Sequence, residues 1–63
     1  MPPHQQRVID EREQLAEKCD KLKVFLWGAI FNSLPTEERS RLIQQLGFML
    51  AYLGILDQRI AAF

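Results

Sequence analysis

Apolar residues recur along this chain in alternating steps of four and three. From Leu42 the series continues through Leu46, Met49, Leu53, Leu56, Ile60 and Phe63, an unbroken heptad seam. The first half keeps the same alternation through Val8, Arg12, Leu15, Cys19, Leu22, Leu26 and Ala29, with Arg12 as its one charged member. Between the two lies one strong break, Phe31-Asn32-Ser33-Leu34-Pro35-Thr36. Pro35 has no N–H to donate, so it fits a first helical turn and disfavours helix at the residue before it. Glu37 and Glu38 follow where the helix macrodipole favours negative charge. The pattern predicts a first helix over about 4–31, a turn over about 32–34 and a second helix over about 35–63. So short a connection makes the helices antiparallel neighbours. The expected fold is all-α, an antiparallel two-helix hairpin forming one domain over residues 1–63. Each helix should be roughly 40 Å long at a rise of 1.5 Å per residue.

One seam per helix would satisfy a hairpin, yet the chain carries more apolar surface than that. Ile43, Phe48, Leu50, Tyr52 and Ile55 lie off the second seam, and Ile9, Val24, Phe25, Trp27, Ile30 and Phe31 lie off the first. Two helices facing each other cannot cover all of these, and an uncovered apolar surface of that size marks an interface. Trp and Tyr favour such places because they join a large ring to a polar tip. Phe25, Trp27, Phe48, Tyr52 and Ile55 are therefore the candidate oligomer interface. A third stripe on the second helix is small: Gly47, Ala51 and Gly54. Glycine costs about 1 kcal/mol relative to alanine in a helix interior, so something should offset it. Small side chains admit a second backbone or a ligand, and close helix–helix packing is the plainer of the two readings.

Size sharpens the case for self-association. A chain of 63 residues buries only about 60% of the surface its unfolded form exposes, and such chains need a staple. An internal disulfide is excluded because Cys19 is the only cysteine. One His and one Cys make no zinc-like ligand set, so no metal is expected. Oligomerisation remains, and the hairpin is expected to assemble into a helical homo-oligomer. Eight basic and eight acidic residues cancel, which argues against binding DNA or RNA polymers through excess positive charge. A small anion in a local pocket stays open. The longest apolar stretch, Leu46 to Leu56, has 11 residues, whereas a membrane span needs about 20. The start, Met1-Pro2-Pro3-His4, shows no signal-peptide pattern. The expectation is a soluble protein of the cytoplasm with no membrane partner.

Catalysis finds little support. His4 has no orienting partner, and Asp10, Glu11 and Glu13 read as a solvated face. There is no glycine-rich phosphate loop or dinucleotide fingerprint. The chain is expected not to be an enzyme and to carry no cofactor. Anion binding is better founded. Arg7, Lys18 and Lys21 project from the first helix, and an antiparallel hairpin brings Arg59 near Arg7 and Arg12. Arginines there could fork onto a phosphate. The competing reading is pairing with Glu11, Glu13 and Asp57. On the exposed faces, Arg7 with Glu11, Glu17 with Lys21 and Glu37 with Arg41 are four apart, the spacing of helix-supporting ion pairs.

The run His4-Gln5-Gln6-Arg7-Val8-Ile9-Asp10-Glu11, followed by Leu15, Lys18, Lys21-Leu22 and Phe25, resembles the opening helix of a family of small phage proteins. Phe31-Asn32-Ser33-Leu34-Pro35, Leu42, Gln45, Met49, Tyr52, Leu56 and Arg59-Ile60 continue the likeness over nearly the whole chain. The family is that of the phage anti-CBASS cyclic-nucleotide sponges, whose helical hairpin is shared with anti-Thoeris sponges. The resemblance implies a non-enzymatic protein of the host cytoplasm that assembles as a compact helical oligomer, typically a hexamer. It implies cyclic di- and trinucleotides as partners, held between protomers and sequestered uncleaved, so that the host's defence effector stays inactive. By that likeness His4 matches an aromatic that stacks on a base, though it stands where the family has a larger ring. Lys18 matches a phosphate-binding lysine, and Arg59 a late arginine of a separate three-fold trinucleotide pocket. Arg7 and Lys21 complete the candidate ligand-binding set. The alternative is a structural or adaptor coiled coil that binds another protein through its second apolar face.

Overall fold

A computed structural model describes all of residues 1–63. The chain forms helix α1 (Pro3–Leu26), a short helix α2 (Ala29–Ser33) and helix α3 (Thr36–Ala61), with no strand. α1 and α3 pack along their lengths as a slender hairpin of 46 × 15 × 13 Å.

The first helix ends earlier than the sequence pattern suggests. Pro3 opens it with a fixed φ and no orphaned N–H. At the far end Trp27 and Gly28 donate to the carbonyls of Val24 (3.2 Å) and Phe25 (3.0 Å), three residues back, which tightens and closes the last turn. Gly28 then takes an extended backbone, φ −86° and ψ 163°. A Cβ on Gly28 would stand 3.3 Å from the Phe25 carbonyl oxygen, so glycine is the residue this close turn accepts best. The expected helix over 4–31 is thus interrupted at Trp27-Gly28, and α2 is a separate turn and a half. Phe31 folds back onto Phe25 edge to face, ring centres 6.4 Å apart and planes at 77°. Ser33 Oγ donates to the Ile30 carbonyl at 2.6 Å. Leu34 and Pro35 are extended, and Pro35 caps α3 through its carbonyl, which accepts from the Arg39 N–H at 3.0 Å.

The two seams meet except at their ends, where Ala29 falls in α2 beyond the break and Phe63 is 49% exposed. Val8, Cys19 and Leu56 are buried, at 7%, 1% and 0% exposure, and Leu15, Leu22, Leu26, Leu42, Leu46, Met49, Leu53 and Ile60 are half-buried around them. The seam's one charge is accounted for by Arg12 Nε, which donates to Asp57 Oδ1 at 2.8 Å. That bond, and after it the nearby Asp57 charge, raises the Arg12 guanidinium above its ordinary pKa. Only three of 63 residues are buried. The accessible surface of 4780 Å² exceeds the roughly 4200 Å² typical of a folded monomer of this mass. One hairpin therefore has a seam rather than a core.

The outer ion pairs partly depart from expectation. Lys21 Nζ meets Glu17 at 3.1 Å. Arg41 pairs with Glu38 at 3.0 Å rather than with Glu37. Arg7 and Glu11 form no ion pair. Three residues or four both bring side chains together on a helix, and Arg41 takes the nearer carboxylate. Of the off-seam apolar residues, Ile9, Phe25 and Phe31 are half-buried within the hairpin, whereas Val24, Trp27, Ile30, Ile43, Phe48 and Ile55 are more than half exposed.

Candidate functional site

A helix advances about 100° per residue, so residues seven apart share a face. Beside the seam, α1 carries a second heptad line: His4, Arg7, Glu11, Gln14, Lys18, Lys21 and Phe25. α3 carries a matching line: Glu38, Arg41, Gln45, Phe48, Tyr52, Ile55 and Arg59. Because the helices are antiparallel, the flanks on which these lines lie turn to the same side of the hairpin. Arg12 and Asp57 occupy the opposite flanks of their helices and meet on the other side, which fixes the assignment.

The Arg12–Asp57 contact also fixes the register. Six residues further along α1 and six back along α3 bring Lys18 level with Ala51 and its neighbour Tyr52. Lys21 comes level with Phe48, Gln14 with Ile55, and Glu11 with Gln58 and Arg59. Rings and cations thus alternate across one face. Its two lines hold Arg7, Lys18, Lys21, Arg41 and Arg59 against Glu11 and Glu38. A chain with no net charge therefore presents one positively biased side. Lys21 and Arg41 are partly neutralised by Glu17 and Glu38, while Arg7, Lys18 and Arg59 are exposed and form no ion pair.

All five candidate ligand residues, His4, Arg7, Lys18, Lys21 and Arg59, lie on the lines of this face. Arg59 lies beside Glu11 rather than in a cluster with Arg12, whose guanidinium belongs to Asp57 on the other side. His4 is exposed in the first turn of α1, one step of three before Arg7, and so continues the cationic line, while Gln5 continues the seam. His4 stands 14 residues before Lys18, about 21 Å along the helix.

The candidate interface residues divide. Phe48, Tyr52 and Ile55 join the cationic face, at 75%, 45% and 52% exposure. Phe25 turns to Phe31 of its own chain. Trp27, 90% exposed, sits at the α1–α2 break with Val24 and Ile30. In the sequence Arg41 stood out only as an ion-pair partner and Gln45 only as part of the family likeness. Continuing the steps of four and three backwards from Tyr52 would have found both.

A groove of about 460 Å³ opens along this face, lined by Arg41, Gln44, Gln45, Phe48, Met49 and Tyr52. Gln45 Nε2 lies 3.8 Å from Met49 Sδ on its wall. A second hollow of about 350 Å³ lies at the start of α3, between Phe31, Ile43 and Arg39. There Arg39 Nη2 donates to Thr36 Oγ1 at 3.1 Å, while its buried Nε has no partner. The small stripe Gly47, Ala51 and Gly54 occupies the back of α3, away from α1. A Cβ on either glycine would meet nothing within 4 Å, so nothing inside the hairpin uses the space they leave. No group of carboxylates, His and Cys is placed to hold a metal ion, and no helix is long and apolar enough to cross a membrane.

No solved structure matches the chain. An uncharacterised 7.5 kDa protein of Enterobacteria phage T4, from the denB–rIIB intergenic region, is 36% identical over 63 residues, covering 100% of this chain and 98% of that one. The profile of the Sequestin family matches residues 2–62. With the match running from the first turn of α1 to the end of α3, the chain belongs to the Sequestin family.

Proposed function

We propose that this protein is a phage anti-defence sponge: it binds cyclic di- and trinucleotide immune signals and sequesters them without cleaving them. The observation that carries the reading is the one-sided face, five cations against two carboxylates with exposed rings between them. A cyclic nucleotide offers phosphates and flat bases, and such a face answers both. Membership of the Sequestin family and likeness to a phage protein supply the setting, in which the site of action is the host cytoplasm. Nothing on the face resembles a nucleophile with an adjacent base, so binding without turnover is the chemistry it suits.

Self-association belongs to the same proposal. A hairpin with three buried residues needs further burial. The empty space over Gly47 and Gly54 and the exposed Ile43 and Leu50 are where other copies would supply it. The expected assembly is a closed homo-oligomer, a hexamer by the family likeness, with nucleotides held between protomers. Arg7, Lys18, Lys21 and Arg59 contact phosphate in this scheme.

Calorimetric titration with a panel of cyclic di- and trinucleotides is the test. Binding with intact recovery of the nucleotide is expected; no heat with any of them, while the oligomer is intact, would sink the proposal, and cleavage products would convert it to a nuclease. Lys18→Ala should weaken binding at least tenfold, since charge-assisted phosphate contacts are the stronger class of hydrogen bond, about 1.5–3 kcal/mol. It should leave helicity unchanged.

An adaptor that binds another protein is the second reading, favoured by Trp27, Val24 and Ile30, exposed together at 90%, 73% and 67%. Light scattering separates the two: a monomer would favour the adaptor.

A further inference from the structure

We propose that Tyr52, with Phe48 one turn before it, is the surface on which a base of the bound nucleotide stacks. The inference rests on the nucleotide-binding reading above and assigns residues within it.

A single ligand can use a phosphate contact and a base contact from one chain only if both lie within its own width. His4 and Lys18 of one protomer are about 21 Å apart along α1, so they do not serve one nucleotide from the same chain. Tyr52 meets the requirement. It is level with Lys18, on the same face, and the axes of packed helices are about 8–10 Å apart. Phe48 bears the same relation to Lys21.

Exposure and shape support the assignment. Phe48 is 75% exposed and Tyr52 45% exposed, and both line the groove of about 460 Å³. The remaining walls supply what a base edge needs. Gln44 and Gln45 offer amide donors and acceptors, and Arg41 sits at the end of the groove with its Nε on Glu38 at 3.0 Å. The local charge decides the class of occupant. Arg41 and Lys21 already have Glu38 and Glu17 as partners, which leaves Lys18 as the unpaired charge beside the rings, and an anionic, flat ligand meets both the rings and Lys18.

The chain contains one Trp and one Tyr, which makes a direct readout possible. In a Trp27→Phe chain, Tyr52 is the only strong ultraviolet emitter. Titration with an adenine-containing cyclic dinucleotide should quench it, and inorganic pyrophosphate, which has no base, should not. Calorimetry on Tyr52→Leu should show binding weakened about tenfold or more, as stacking on an aromatic allows, with solution mass unchanged. Wild-type binding together with unaltered Tyr52 emission and undiminished affinity in Tyr52→Leu would overturn this assignment and leave the sponge reading standing. A drop in oligomer mass in Tyr52→Leu would also overturn it, placing Tyr52 between protomers. No heat with the wild-type protein would remove both.

Discussion

The two glycines on the back of α3 give the sharpest test of whether another copy covers this hairpin. Gly47 and Gly54 each lie mid-helix, with open space where a Cβ would stand. In an isolated hairpin, Gly47→Ala and Gly54→Ala should each add about 1 kcal/mol, the difference in helix propensity. Unfolding entropy of about 2.1 cal/mol/K per residue gives roughly 130 cal/mol/K for a chain this long. Each substitution would then raise Tm by about 7 °C. The sites are two turns apart, roughly 10 Å, so the double variant should gain about 14 °C by additivity. If a neighbouring helix packs onto the stripe, the sign reverses. Forcing a methyl into a packed contact costs about 1–3 kcal/mol, which outweighs the propensity gain. The expected result is therefore a lower Tm, one that depends on protein concentration because assembly is linked to folding, and a loss of mass in light scattering. Thermal melts followed by circular dichroism at two concentrations tenfold apart would decide. A rise of the full 14 °C or so with unchanged mass would refute the reasoning: the stripe would be open to solvent, and self-association, if any, would lie elsewhere.

Two further predictions concern the seam. Leu56, with no exposed surface, should cost about 2–5 kcal/mol when truncated to alanine, enough in so small a unit to show as lost helical ellipticity at 25 °C; an unchanged melt would mean that the seam is not the hairpin's main contact. Arg12→Asp or Asp57→Arg alone should lower Tm by placing like charges together, and the exchange of both should restore much of the loss. A double variant no better than the worse single one would show that the 2.8 Å contact does not set the register.

The seams were legible because each is a long periodic signal on one helix, and Pro35 with Glu37 and Glu38 marked the restart of the chain. The end of α1 was less so. Gly28 sits inside an apolar run, where a lone glycine reads as tolerated within a helix, and the closing bonds to Val24 and Phe25 are backbone geometry that periodicity does not encode. Phe25 looked like spare apolar surface because its partner, Phe31, lies beyond that break. The cationic residues were found one by one, but their arrangement needed two facts together: which flank of each helix turns to the same side, and the register set by Arg12 with Asp57. Either helix alone leaves Lys18 and Tyr52 unrelated.

The continuity of the lines from His4 to Phe25 and from Glu38 to Arg59 bears on which changes of length this chain tolerates. One residue inserted midway along α1 or α3 turns everything beyond it by about 100°. That would carry half of the cations away from the rings, and half of the seam out to solvent. Insertions or deletions within these helices should therefore survive only as whole heptads, which move the ends apart without rotating them. The short segment from Gly28 to Leu34, which belongs to neither line, is where single residues can be gained or lost with least effect on either face.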